Sequence, residues 1–143
     1  MKMVEYTIQY GNPEKYCGES IPYRDAYTWV YPVMVIESDY IGKPEENSKT
    51  IRTEVLISIV RSAFETGQFY GLQQSDKEKI VFEIARREIK RQLESGTKPQ
   101  ELHPIVLHSA NIKEWPTLDA SRIPDPNGVE DTIIVSTQIG FEP

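Results

Sequence analysis

Val4, Tyr6, Ile8 and Tyr10 alternate with Glu5, Thr7 and Gln9, a period of two that predicts a strand with one apolar and one polar face. Gly11-Asn12-Pro13 ends it. A second extended run covers residues 26–37. It opens with alternating Tyr27, Trp29 and Tyr31 and continues as Val33-Met34-Val35-Ile36. Pro32 lies inside this run and has no N–H to give a ladder, so a bulge, an edge position or a break is expected there.

Residues 50–66 read as a helix. At about 100° per residue, Ile51, Val55, Leu56, Ile57, Ile59, Val60, Ala63 and Phe64 cover most of its circumference, which calls for contact on more than one side. A second helix is expected over residues 75–94. Ser75 and Glu78 have capping-box spacing, and Val81, Phe82, Ile84, Ala85, Ile89 and Leu93 supply a packing face before Ser95-Gly96. The short connection 67–74 predicts an antiparallel helical hairpin. Ile105-Val106-Leu107-His108 and residues 132–141, with Ile133, Val135, Thr137, Ile139 and Phe141 on one face, read as two closing strands. The expected fold is α+β in the order ββααββ: a mostly antiparallel sheet of four or five strands with a two-helix hairpin on one face. Residues 1–143 are expected to form a single globular domain. Long loops span 11–25, with Tyr16, Cys17 and Tyr23, and 111–131, with Trp115, Pro116, Pro124 and Pro126. Connections of that length more often carry function or wrap a partner than merely connect.

Charge narrows the function classes. The net charge is −6, with acidic excess at both ends and a mildly basic stretch over 48–97. A protein that holds duplex nucleic acid through many phosphates carries a basic excess, so that partner is disfavoured. No apolar run approaches the roughly 20 residues of a membrane span. No signal-peptide core can be drawn at Met1-Lys2-Met3-Val4-Glu5. Cys17, the one cysteine, cannot form an internal disulfide, and a reducing, cytoplasmic setting is expected.

Aromatic residues crowd the first forty positions. Of the eight tyrosines only Tyr70 lies beyond Tyr40, and Trp29 is among them. Three readings are open: the rings pack beneath the helices, form a subunit interface, or stack a ligand. On the second helix, Lys79, Arg86, Arg87, Lys90 and Arg91 share an arc with Glu83 and Glu94. Glu83–Arg87 and Lys90–Glu94 have the spacing of solvated surface pairs. Glu88 projects into the apolar arc and needs a partner there. Arg91, one turn on, and Arg52 are the candidates, either as a structural pair or as a ligand-facing cluster.

His103 and His108 are the two histidines. They lack a third ligand, and zinc needs three or four, so neither a metal nor a cofactor is expected. No phosphate loop, nucleophile elbow or other catalytic constellation is present. The sequence favours a non-enzymatic binding or assembly protein, a homodimer or higher oligomer acting through an aromatic-rich surface. The alternative is a receptor for a small anionic ligand such as a nucleotide. Trp29, Tyr31 and Phe69 would stack that ligand, and Arg52, Arg86, Glu88 and Arg91 would supply charge. A third reading is a small enzyme using His108 or His103 with Glu88.

Overall fold

The computed structural model describes residues 2–15, 26–39, 48–108 and 115–137. The expectations placed on Tyr16, Cys17, Tyr23, Tyr40, residues 111–114 and the 138–141 end of the last strand lie outside these. The strands are β1 (Lys2–Tyr10), β2 (Glu14–Lys15), β3 (Ala26–Asp39), β4 (Lys49–Val60), β5 (Ile105–Leu107) and β6 (Glu130–Thr137). Two α-helices are described, the single turn α1 (Arg61–Phe64) and the long α2 (Gln74–Glu94). The fold is α+β.

The expected helix over residues 50–66 is instead strand β4 followed by α1, so no helical hairpin forms. The cause is local. Ile51, Thr53, Val55, Ile57 and Ile59 are β-branched and fall on one face at period two, a pattern that favours a pleated surface over a helix. Leu56 and Val60 lie on the other face and are half-buried, and they obscured the alternation. β4 then pairs antiparallel with β3 from Ala26↔Val60 to Glu37↔Lys49.

The strand order is β5-β4-β3-β1-β6. β3 is central, with β4 along one side and β1 followed by β2 along the other. β6 pairs antiparallel with the outer side of β1, and β5 lies parallel to β4, reached through α2. Pro32 does sit at a bulge. Between the pairs Tyr10↔Val33 and Glu14↔Val30, Gly11, Asn12 and Pro13 face only Tyr31 and Pro32. The Gly11 amide donates to the Pro32 carbonyl at 2.9 Å. The proline nitrogen therefore faces the bulge, where no ladder bond is missed. A Cβ on Gly11 would stand 2.9 Å from Pro32 Cγ, so a larger residue there would force the proline ring aside.

The second helix appears as expected, but its start differs. Gln73 occupies the cap without a side-chain bond, so the Ser75–Glu78 capping box does not form. Gln74 Nε2 instead donates to Glu78 Oε1 at 3.1 Å. Its end follows the expected signal: Gly96 adopts φ +101°, and the amides of Gly96 and Thr97 donate to the carbonyls of Leu93 and Gln92, closing the terminus.

Helix α2 lays Ile80, Val81, Phe82, Ile84, Ala85, Ile89 and Leu93 on the inner face of the sheet. That face carries Val4, Tyr6, Ile8 and Tyr10 from β1, Trp29, Tyr31, Val33 and Val35 from β3, and Val55, Ile57 and Ile59 from β4, all buried. Phe82 meets Tyr10 edge-on at 5.3 Å and stacks on Tyr31 at 5.9 Å. Phe64 touches Tyr27, Trp29 and Phe69 at 5.1–5.3 Å. The rings thus form the core of the chain, and among the described strand rings Tyr27 alone is half-buried. Phe82→Ala should cost about 3–5 kcal/mol, a large part of a typical domain's stability. Urea unfolding should show the midpoint falling with little change in slope.

Candidate interaction face

Among the described residues three places carry polar or reactive groups, and they differ in what they leave free. The first is half-buried, between α2 and β6. Tyr10 Oη donates to Asp131 Oδ2 at 2.8 Å, and Arg86 clamps both Asp131 oxygens at 2.7 Å from Nε and Nη2. Glu83 holds Arg86 Nη1 at 3.3 Å and Arg87 Nε at 2.6 Å, and Lys90 Nζ stands 4.0 Å from Asp131. The expected Glu83–Arg87 pair therefore forms, while Lys90 turns toward Asp131. Burial works to raise the Asp131 carboxyl, but the bonds from Arg86 and Tyr10 prevail and hold it below its ordinary value. Burial, then the bond to Asp131, pushes the Tyr10 phenol well above its ordinary value, and burial does the same for Tyr31. Arg86, one of the arginines expected to bind ligand, is thus committed to tying α2 to β6.

The second place is a groove of about 490 Å³ at the end of α2, lined by Glu88, Arg91, Gln92, Ser95, Thr97, His103 and Trp115 among others. Glu88 is paired as expected, with Arg91 donating to its Oε2 at 2.7 and 3.0 Å. Buried Gln92 grips the His103 backbone from both sides: its Nε2 donates to the carbonyl at 3.2 Å, and its Oε1 accepts the amide at 2.8 Å. Glu88 and His103 share this groove, while His108 lies beyond the end of β5. Among the described residues no group of three or more His, Cys, Asp and Glu could hold a metal. The negative end of the helix dipole points here, and with Glu88 it opposes an anion.

The third place is the outer face of the sheet, which α2 does not cover. Its residues are Met3, Glu5, Thr7 and Gln9 of β1, Val30, Pro32, Met34 and Ile36 of β3, Arg52, Glu54 and Leu56 of β4, and Thr132, Ile134 and Ser136 of β6, by the registers Gln9↔Met34, Met34↔Arg52 and Glu5↔Ile134. Both ends of β3 are closed on this face: buried Thr28 and Ser58 share a hydrogen bond of 2.8 Å at one, and Ser38, opposite Glu5, is buried at the other. Elsewhere Val30, Met34, Ile36 and Leu56 are half-buried, and Met3 and Ile134 are exposed. Beside Pro32, a depression of about 420 Å³ is lined by Gln9, Gly11, Met34, Arg52 and Glu54 with their neighbours. Arg52 is exposed and has no ion pair among the described residues.

The residues expected to bind ligand are therefore scattered. Trp29, Tyr31 and Phe69 lie in the core at 3%, 1% and 0% exposure. Arg86 belongs to the Asp131 network, Glu88 and Arg91 to the helix-end groove, and Arg52 to the outer face. Met34 and Ile134 lie on strands whose pattern does not reveal which face a helix covers, and Leu56 falls in the segment expected to be helical, so none of the three is marked by the sequence as a surface residue. No family model, curated protein or solved structure matches the chain. Among the described residues no helix is long and apolar enough to cross a membrane.

Two consequences of the Asp131 network are measurable. Its carboxyl is depressed in the folded state, so its contribution is complete above the unfolded value near 3.9 and is lost as pH falls through the lower folded value. Asp131→Asn should cost on the order of 2 kcal/mol at neutral pH and show a flatter acid limb than the wild type in unfolding below pH 4. The phenols have the opposite sign. With folded values raised, their contribution is present below about pH 10 and lost above it. An ultraviolet absorbance titration should show Tyr10 and Tyr31 ionising together with unfolding.

Proposed function

We propose that this chain is a non-enzymatic, cytoplasmic binding protein that works as a homo-oligomer, with the outer face of its sheet seated on the same face of a second copy. The observation that carries this is the one-sided cover of the sheet: α2 shields the inner face, while aliphatic and methionine side chains remain on the outer one. The interface first expected, an aromatic surface, is replaced by this aliphatic one because the rings are buried within the subunit. A monomer gains little by leaving such a patch in water.

The choice of a second copy rests on charge. Arg52 and Glu54 are exposed neighbours on the outer side of β4. A two-fold axis near Thr53 brings each Arg52 over the other copy's Glu54, the reciprocal pairing that an isologous interface requires. Packed sheets lie about 10 Å apart, within reach of two such long side chains.

A small anionic ligand is the second reading, favoured by Arg52, exposed and without an ion pair among the described residues, at the rim of the depression beside Pro32. In that case Arg52→Glu abolishes stabilisation by nucleotides in a thermal-shift screen and leaves the mass unchanged.

Charge exchange separates the two. Arg52→Glu and Glu54→Arg should each lower the mass measured by light scattering at a fixed micromolar concentration, through like-charge contacts. The double variant should restore it. A strictly monomeric wild type, or a double variant no better than the singles, overturns the face-to-face assembly.

A further inference from the structure

The two edges of the sheet are unlike. β5 is three residues long and follows Pro104, the kind of short, guarded edge that resists pairing. β6 runs over eight residues, Glu-Asp-Thr-Ile-Ile-Val-Ser-Thr, without proline, lysine or glycine. Among the described residues no strand pairs with its far side. We infer that β6 pairs antiparallel with β6 of a second copy, joining two sheets into one. This deepens the self-association reading above and rests on it for the identity of the partner, but it uses a separate surface.

The phase of the β1–β6 ladder determines which backbone groups are on offer. The Tyr10 amide donates to the Val129 carbonyl at 3.4 Å, and the register continues through Ile8↔Asp131, Tyr6↔Ile133 and Val4↔Val135. In an antiparallel ladder alternate residues turn both N–H and C=O to the same neighbour. Asp131, Ile133 and Val135 therefore bond to β1, and Glu130, Thr132, Ile134 and Ser136 turn theirs to the open edge.

Two antiparallel strands from identical chains are related by a two-fold axis normal to the sheet, which keeps both α2 helices on one side. Facing residues must then share parity. A register centred on Ile133 meets that condition and pairs every outward-facing residue: Thr132 with Ile134 and Glu130 with Ser136, each across the axis. Ile133 meets its own counterpart in a non-bonded pair, where Cα atoms approach to about 4.5 Å and β-branched side chains pack well. The acidic Glu130-Asp131 ends fall at opposite extremes of the joint. A parallel arrangement would instead place them side by side, so charge favours the two-fold form.

Amide hydrogen exchange of the full chain tests this directly. Asp131, Ile133 and Val135 should be protected at every concentration, being held by β1. Thr132, Ile134 and Ser136 should be protected at high protein concentration and at least tenfold faster on dilution to monomer. Thr132→Pro removes one outward donor without touching the β1 ladder. It should halve the assembled mass at fixed concentration while near-ultraviolet circular dichroism of the aromatic core stays unchanged. Fast exchange at Thr132, Ile134 and Ser136 at all concentrations overturns the edge pairing, as does an unchanged mass for a folded Thr132→Pro. Arg52→Glu reports on the face separately. If it lowers the mass while those amides stay unprotected, the face assembles and the edge does not. If they keep their concentration-dependent protection while Arg52→Glu leaves the mass unchanged, the edge stands and the face fails.

Discussion

Successive residues of a strand point to opposite sides, and this alternation organises the molecule. Tyr6 and Tyr10 on β1 and Tyr27, Trp29 and Tyr31 on β3 all have the inner parity, so two strands deliver their rings to a single layer. α2 closes that layer with Phe82, which touches rings from both strands, and α1 closes its other end with Phe64. Rings bury large areas per residue, which is how one long helix suffices to cover a sheet of this width. The polar network depends on the same parity. Asp131 faces inward because it stands opposite Ile8, and an inward carboxylate is tolerable only with Arg86 and Tyr10 to hold it.

The strands β1 and β3, the long helix and its glycine stop were legible because each has an undisturbed period or a local end signal. β4 was not. An interior strand whose two faces are both partly covered carries apolar residues at consecutive positions, and such a run satisfies a helical wheel as readily as a pleat. The deciding clue was the β-branched series from Ile51 to Ile59. That one segment decides the topology: as a strand it forms a β-hairpin with β3, and as a helix it would have formed a helical hairpin with α2.

Polar partners divided along sequence distance. Glu88–Arg91 and Glu83–Arg87 lie within one turn and follow from helix geometry. The Arg86–Asp131 clamp joins residues 45 apart, and no periodicity links them. The aromatic half-chain was a real signal with an undetermined direction: alternation assigned the rings to one face, and only the position of α2 made that face the interior. Once it did, the outer face inherited the aliphatic and methionine residues of the same strands.

The bulge at Gly11 carries a further consequence. A hairpin whose partners slide by two residues keeps every side chain on its proper face, so hydrophobic patterning alone gives β1 little means of rejecting that slip. Here the slip would set Gln9 or Pro13 against the Pro32 ring, where the observed chain has a hydrogen and a Cβ at Gly11 would already be 2.9 Å from Pro32 Cγ. One glycine opposite one proline thus acts as a notch and tooth, fixing the alignment of β1 on the central strand and, through β1, of every residue on β6.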